Sequence, residues 1–229
     1  MPTAEKLIRN FSRQAAPNHR YASFDYCFNY FQGFRSKSEI AAPQNMENSC
    51  MQLGAYLASW GMFRASSFLL QKKSMRHFQS VIEVIASKQQ AALWRIDCNE
   101  YGEDAKVHLQ NAYKEIRCAV VPSREAHLTL VTKIMLGVFG CVPAFDSRFT
   151  DTMRAYGRKH GWRCRFRAFN GDALDGIAGF YQEHHKVVNR WSKKTRTFDF
   201  DRGERTQFNY TKAKIVDMIA FEANGRPVG

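Results

Sequence analysis

In LTLVTKIMLGVFGCVPAFDSRF, residues 128–149, an almost wholly apolar run carries one lysine, Lys133, breaks at Pro143 and ends on Asp146. An amine with restricted access to water is a candidate nucleophile, because partial desolvation and a neighbouring positive field favour its neutral form. The alternative is a stem packed in the core with its ammonium snorkelling to solvent. Asp146 follows the proline at the position where a helix restarts, so its carboxylate is expected to cap that helix. An aspartate fixed in this way can also stabilise a developing cation or activate water.

A basic stretch follows. Arg148, Arg154, Arg158, Lys159, Arg163, Arg165 and Arg167 are accompanied by one acid, Asp151, between residues 147 and 171, with Tyr156, Trp162 and Phe166 interleaved. Guanidinium groups pair with phosphates and exposed aromatic rings stack on unpaired bases. A solvated basic face, with Trp162 as a core residue, is the plainer account of the same pattern. The whole chain tilts the balance: 34 Lys and Arg against 21 Asp and Glu give a formal charge of +13, which attracts polyanions. Nucleic acid is therefore the expected partner, with DNA placed ahead of RNA.

Other chemistry has less support. Asp199, Asp201 and Glu204 could face together on a hairpin and hold Mg²⁺, as a metal-dependent nuclease requires, or form an acidic turn in solvent. His184 and His185 are adjacent on a helix and point about 100° apart, outside any H-E-x-x-H pattern. The six cysteines, at 27, 50, 98, 118, 141 and 164, include no C-x-x-C pair and are expected to act as small buried hydrophobes. No phosphate loop, nucleophile elbow or cofactor fingerprint is present, so no cofactor is expected and no metal beyond the acidic alternative.

The elements that must position these residues are helical. Read at 100° per residue, residues 128–139 put apolar side chains over most of the circumference and leave Thr129, Lys133 and Gly137 as a narrow stripe, the one exit for the lysine. Residues 172–191 form the clearest amphipathic helix, with Asp172 as its expected N-cap. Further helices are expected over 46–62, 67–71, 76–88, 103–118, 126–139, which includes this stripe, 147–158 and 211–223. Gly54, Ala58 and Gly61 share one face and predict close approach of another helix. Strand character is confined to 195–210, as a short hairpin or an irregular loop, and 36–45 and 119–125 read as surface connections.

The fold class is therefore mainly α, a multi-helix globular domain over 1–229, in one piece or as two helical lobes with a cleft. Residues 1–20 are open to being a flexible segment. The runs 128–149 and 53–70 are interrupted by Lys133 and Arg64, and neither reaches the roughly 18 uncharged residues of a spanning helix. With no signal-peptide centre in MPTAEKLIRNFSRQAAPNHR, the expected location is the cytoplasm.

Three places in this pattern resemble the catalytic region of helix-hairpin-helix DNA glycosylases, particularly the 8-oxoguanine-glycosylase-like group. Thr132-Lys133 opens the apolar helix, Val142-Pro143 ends it, and Asp146-Ser147-Arg148 begins the next. Lys214-Ile215-Val216-Asp217-Met218 is similar to a C-terminal core helix of such proteins. The resemblance implies a helical, basic, base-flipping DNA-repair protein, with Lys133 as the amine that attacks the sugar C1′ and Asp146 as the carboxylate that supports the oxocarbenium charge. The chain departs from that group at His127-Leu128-Thr129-Leu130-Val131, which contains no glycine, and in the 13-residue separation of Lys133 and Asp146. The same motifs also resemble an uncharacterised prokaryotic family, which implies no activity. The sequence thus supports three readings: a glycosylase-like protein acting on a flipped or damaged base, a non-catalytic basic DNA- or RNA-binding accessory protein, and a metal-dependent nuclease.

Overall fold

Capping residues and left-handed stops set several of the helix limits in the computed structural model, which describes residues 1–121, 125–162 and 164–229. Thr3, Ser67, Asp146, Asn170 and Thr211 each accept a backbone N–H with the side chain and open α1 (Ala4–Gln14), α4 (Phe68–Lys72), α8 (Ser147–His160), α9 (Gly171–Lys194) and α10 (Lys212–Ala223). Between them lie α2 (Ala22–Gly33), α3 (Pro43–Ser59), α5 (Gln79–Ala86), α6 (Glu103–Val120) and α7 (Leu128–Phe139). Proline supplies the first turn of α3. Three short 3₁₀ segments, Lys37–Ala41, Met75–Phe78 and Lys88–Trp94, fill the corners.

The mainly α expectation holds. The strands present among the described residues are β1 (Arg196–Phe198) and β2 (Arg205–Asn209), paired antiparallel with Arg196 opposite Asn209 and Phe198 opposite Arg205. Phe200 falls in the turn, exposed, with its ring edge-on to Tyr26.

Helix packing falls into two groups over one continuous hydrophobic core. In one, α7 packs on α2, α3 and α6; in the other, α10 packs on α1, α8 and α9. Both central helices are buried on every side: Leu130 to Phe139 in α7, and Ala213 to Phe221 in α10. Residues 140–146 leave the first group and enter the second, so this connection lies where the two meet.

Several expectations need correction. Of the segment 1–20, residues 4–14 form α1, whose Leu7, Ile8 and Phe11 make an apolar stripe that is buried against α10. Helix α2 was not among the expected helices: Phe24, Cys27, Phe28 and Phe31 make a buried stripe at i, i+3, i+4 and i+7, but the half-buried Tyr26 and Tyr30 and the buried Asp25 beside it blur the contrast between faces. The segment 36–45 is not a surface connection throughout, since Ile40 is fully buried. Asn170, not Asp172, caps α9, because its Oδ1 accepts the Ala173 N–H at 3.0 Å. Helix α3 stops at Ser59, and Gly61, at φ +76°, ends the turn rather than joining a small-residue face. Gly54 does admit a close neighbour, the Met75 side chain, where a Cβ would lie 2.2 Å from its sulfur.

Cys27, Cys50, Cys98 and Cys141 are buried as expected, whereas Cys164 is half-buried and Cys118 is exposed on the outer face of α6. No helix of the described residues is long and apolar enough to cross a membrane.

Candidate functional site

The connection 140–146 is held so that little of it can move independently. Gly140, at φ +67°, ends α7 with its N–H on the Met135 and Leu136 carbonyls. A side chain there would collide with Phe28 and Thr211. Beyond it, Tyr101 donates its hydroxyl to the Cys141 carbonyl at 2.6 Å. Thr132 Oγ1 accepts the Phe145 N–H at 2.9 Å, and Thr129 Oγ1 donates to the Phe145 carbonyl at 2.8 Å. Two threonines one turn apart on α7 thus grip the residue before Asp146.

Asp146 is thereby delivered to Lys133. One carboxylate oxygen accepts the Phe149 N–H at 3.0 Å as the cap of α8, and the other receives the Lys133 ammonium at 3.3 Å. The lysine side chain is only 4% exposed and the aspartate side chain 19%, so the pair reaches solvent mainly through the carboxylate. The Trp60 ring centroid lies 5.0 Å from Lys133 Nζ, within cation–π range.

Two of the three positions of the anticipated polar stripe, Thr129 and Lys133, line one cleft of about 360 Å³ over the Lys133 and Asp146 pair, with the Thr129 hydroxyl bonded to the Phe145 carbonyl. The third, Gly137, is instead covered by Tyr56, whose ring carbon would be 2.4 Å from a Cβ. Three exposed arginines stand on it: Arg20, Arg64 and Arg148. Its aromatic walls are Trp60 and Phe221. Arg148 lies over Phe221 at 4.5 Å, and Arg20 lies over Trp60 at 5.6 Å while donating to the Ser59 carbonyl at 3.3 Å.

A second groove of about 690 Å³ shares Met62, Arg64 and Thr129 with this cleft and carries Arg167 and His127. Burial and the nearby Arg117 hold His127 below its ordinary pKa, and its Nδ1 lies 2.7 Å from the Tyr113 hydroxyl, so the imidazole is neutral at pH 7 and the arginines supply the positive charge. Burial lifts the Tyr56 hydroxyl well above the usual phenol range, with Cys27 and the Asp217 and Asp146 carboxylates adding to it; the phenol remains a proton donor.

Of the sequence-predicted residues, Lys133, Asp146 and Arg148 come together, and Arg167 borders the adjoining groove. The rest of the basic stretch lies elsewhere. Arg154 is tied to Asp151 at 3.0 Å and to the Arg165 carbonyl at 2.7 Å. Lys159 faces Glu183 at 3.9 Å, and Arg158 and Arg165 are exposed. Arg163 lies outside the described residues. Trp162 is half-buried against Gly176 and Gly179 of α9, where a Cβ on Gly179 would meet its ring at 2.5 Å. The cavity beside it holds Asp172 and Asp175 and shares no lining residue with the cleft.

The acidic hairpin does not assemble a metal site. Asp199 spends its carboxylate on the Arg202 and Glu204 N–H groups, at 2.7 and 2.8 Å, and so stabilises the turn. Among the described residues no group of three or more His, Cys, Asp or Glu side chains, including Asp199, Asp201 and Glu204, is placed to hold a metal ion. His184 is buried against Phe180 and Tyr156, and His185 is exposed.

Sequence reading missed Arg20, Trp60 and Phe221, which reach the cleft from three distant segments. Arg64 carried a usable signal. It is the charge that interrupts the apolar run 53–70, as Lys133 interrupts 128–142, and both reach the same cleft.

Comparison of the chain with protein-family models, with curated proteins and with solved structures returns no match.

Proposed function

We propose that this chain is a nucleic-acid-binding protein that seats one unstacked nucleotide in the cleft over Lys133 and Asp146, with a DNA-glycosylase-like use of the amine. The observation that carries the reading is the ion pair itself: an amine and a carboxylate 3.3 Å apart at the floor of a cleft bearing three arginines and two aromatic walls. A flipped nucleotide presents complementary groups, with a base to stack, a sugar C1′ to reach and phosphates to pair. The formal charge of +13 adds the long-range attraction that brings a polyanion to that surface.

In the chemical step, the Lys133 ammonium first gives a proton to water in the cleft, so that Asp146 stays ionised, and the neutral amine forms a bond to C1′ as the N-glycosidic bond breaks. The base departs with the electron pair and takes up a proton from solvent, the Asp146 carboxylate stabilises the positive charge that builds on the sugar, and the newly bonded nitrogen then releases its extra proton. The adduct opens to an imine, which borohydride reduces to a stable amine.

Two measurements test this. Binding of labelled oligonucleotides, with and without an abasic or oxidised base, is followed against salt concentration. Affinity falls steeply with salt, and each of Arg20→Gln, Arg64→Gln and Arg148→Gln lowers the slope by about 1. Borohydride trapping is then compared between the native protein and Lys133→Ala. Salt-independent binding refutes the phosphate contacts; binding without any native adduct on the lesions tried leaves the accessory-protein reading in place of the chemical one.

A further inference from the structure

Beneath the cleft lies a second ion pair that the chemistry above does not use. Lys214 and Asp217, one turn apart on α10, meet at 3.0 Å with side chains 2% and 8% exposed. Well-packed apolar residues of similar volume commonly replace such a pair without loss of stability. Packing alone therefore gives no reason for it.

The surroundings supply one. The Lys214 ammonium is enclosed by the rings of Phe24, Phe11 and Trp60, at 4.6, 5.1 and 5.2 Å. Trp60 is also the ring that covers Lys133, and both ion pairs border one small enclosed space beneath it. Asp217 gives one oxygen to Lys214 and the other to the Ala144 N–H, at 3.0 Å. Ala144 stands two residues before Asp146. The threonines of α7 hold Phe145 from one side of the connection, and the Asp217 carboxylate holds Ala144 from α10. An ionised acceptor makes the stronger hydrogen bond, and Lys214 balances its charge.

Building on the reading of Lys133 and Asp146 as the working pair of the cleft, we propose that Asp217, charge-balanced by Lys214, is a positioning residue. Its bond to the Ala144 N–H sets Asp146 against Lys133. The second pair thus couples α10 to the geometry of the cleft floor.

The test compares two double variants that both abolish the ion pair and differ in one group. K214M/D217N keeps an amide oxygen for the Ala144 N–H; K214M/D217L does not. The readout needs no nucleic acid: reductive methylation of the full chain with formaldehyde and cyanoborohydride, quantified at Lys133 by peptide mass spectrometry over a pH series. Circular dichroism confirms folding, and K214M/D217A replaces the leucine variant if that one does not fold.

The expected result for the asparagine variant is a methylation profile displaced only part of the way, because its neutral oxygen keeps a weaker bond to the Ala144 N–H. The variant without an acceptor shows labelling of Lys133 near neutral pH raised about tenfold, the effect of losing roughly 1.4 kcal/mol of pairing with Asp146. Native profiles in both variants, or equal displacement in both, overturn the proposal. Absence of nucleic-acid binding by the native protein instead refutes the reading of the cleft and leaves the methylation result standing by itself.

Discussion

The Lys133 and Asp146 pair predicts an asymmetry between its two partners. Lys133→Met keeps the stem against Trp60 and removes an ammonium whose burial costs desolvation energy. The carboxylate left behind is 19% exposed to the cleft and still caps α8 through Phe149. The cost is therefore small, about 0–2 kcal/mol, because the lost charge-assisted bond is offset by relief from burying the cation. Asp146→Ala removes about 1 kcal/mol of capping and also leaves the ammonium, 4% exposed, facing only an aromatic ring. Stranding a buried charge costs about 3–5 kcal/mol in all. Asp146→Asn, which retains an oxygen for Phe149, falls between. Urea unfolding at pH 7 should rank the variants in that order, and thermal unfolding should place Asp146→Ala lower by on the order of 10 °C. The reasoning fails if Lys133→Met destabilises as much as Asp146→Ala, or if Lys133→Met combined with Asp146→Ala is no more stable than Asp146→Ala by itself.

Two further outcomes arise from buried groups outside the cleft. Asp25 is fully buried, and burial lifts its pKa to about 6 from 3.8 against the opposing hydrogen bonds of Tyr210 and the Phe198 N–H. The folded state therefore holds a proton that the unfolded chain releases, so stability is greatest below pH 3.8 for this group and declines as pH rises to about 6, by about 3 kcal/mol. Asp25→Asn should remove that decline, read as the difference in unfolding free energy between native and variant from pH 4 to 7; a difference independent of pH contradicts it. Gly137→Ala gains helix propensity but drives a methyl to within 2.4 Å of the fully packed Tyr56 ring, for a net loss of about 1–2 kcal/mol; a variant that unfolds at higher urea than the native protein refutes the contact.

How far the sequence discloses this fold depends on whether a segment's surroundings are local. Helix α9 was legible because one of its faces meets solvent, which makes its apolar residues periodic. Helix α7 was legible through its stop, since Pro143 disfavours helix at Val142 and Asp146 is suited to cap the next helix. Helix α2 was not legible, because it is enclosed and Asp25 sits among its phenylalanines. That charge makes sense only when Tyr210, 185 residues away, and the hairpin residue Phe198 are brought to it. The N-terminal helix was passed over for the opposite reason: its stripe of Leu7, Ile8 and Phe11 is short, and the α10 face that covers it lies at the far end of the chain.

The same distinction explains the candidate site. A charge inside an apolar run cannot be neutral in energy, because desolvation must be met by a partner or an opening. Lys133 and Arg64 both satisfy that condition at one cleft, Lys133 through its partner and Arg64 through exposure. The sequence marks such residues by their isolation. It does not mark Arg20, Trp60 or Phe221, whose types are ordinary and whose role is conferred by position. Density of charge follows a different rule: Arg158 and Lys159 lie on the solvated end of α8, and Asp151 and Glu183 engage Arg154 and Lys159 of this basic stretch. An isolated charge in an apolar run thus points to a compensating structure around it, since burying it demands one, whereas exposing many charges demands none.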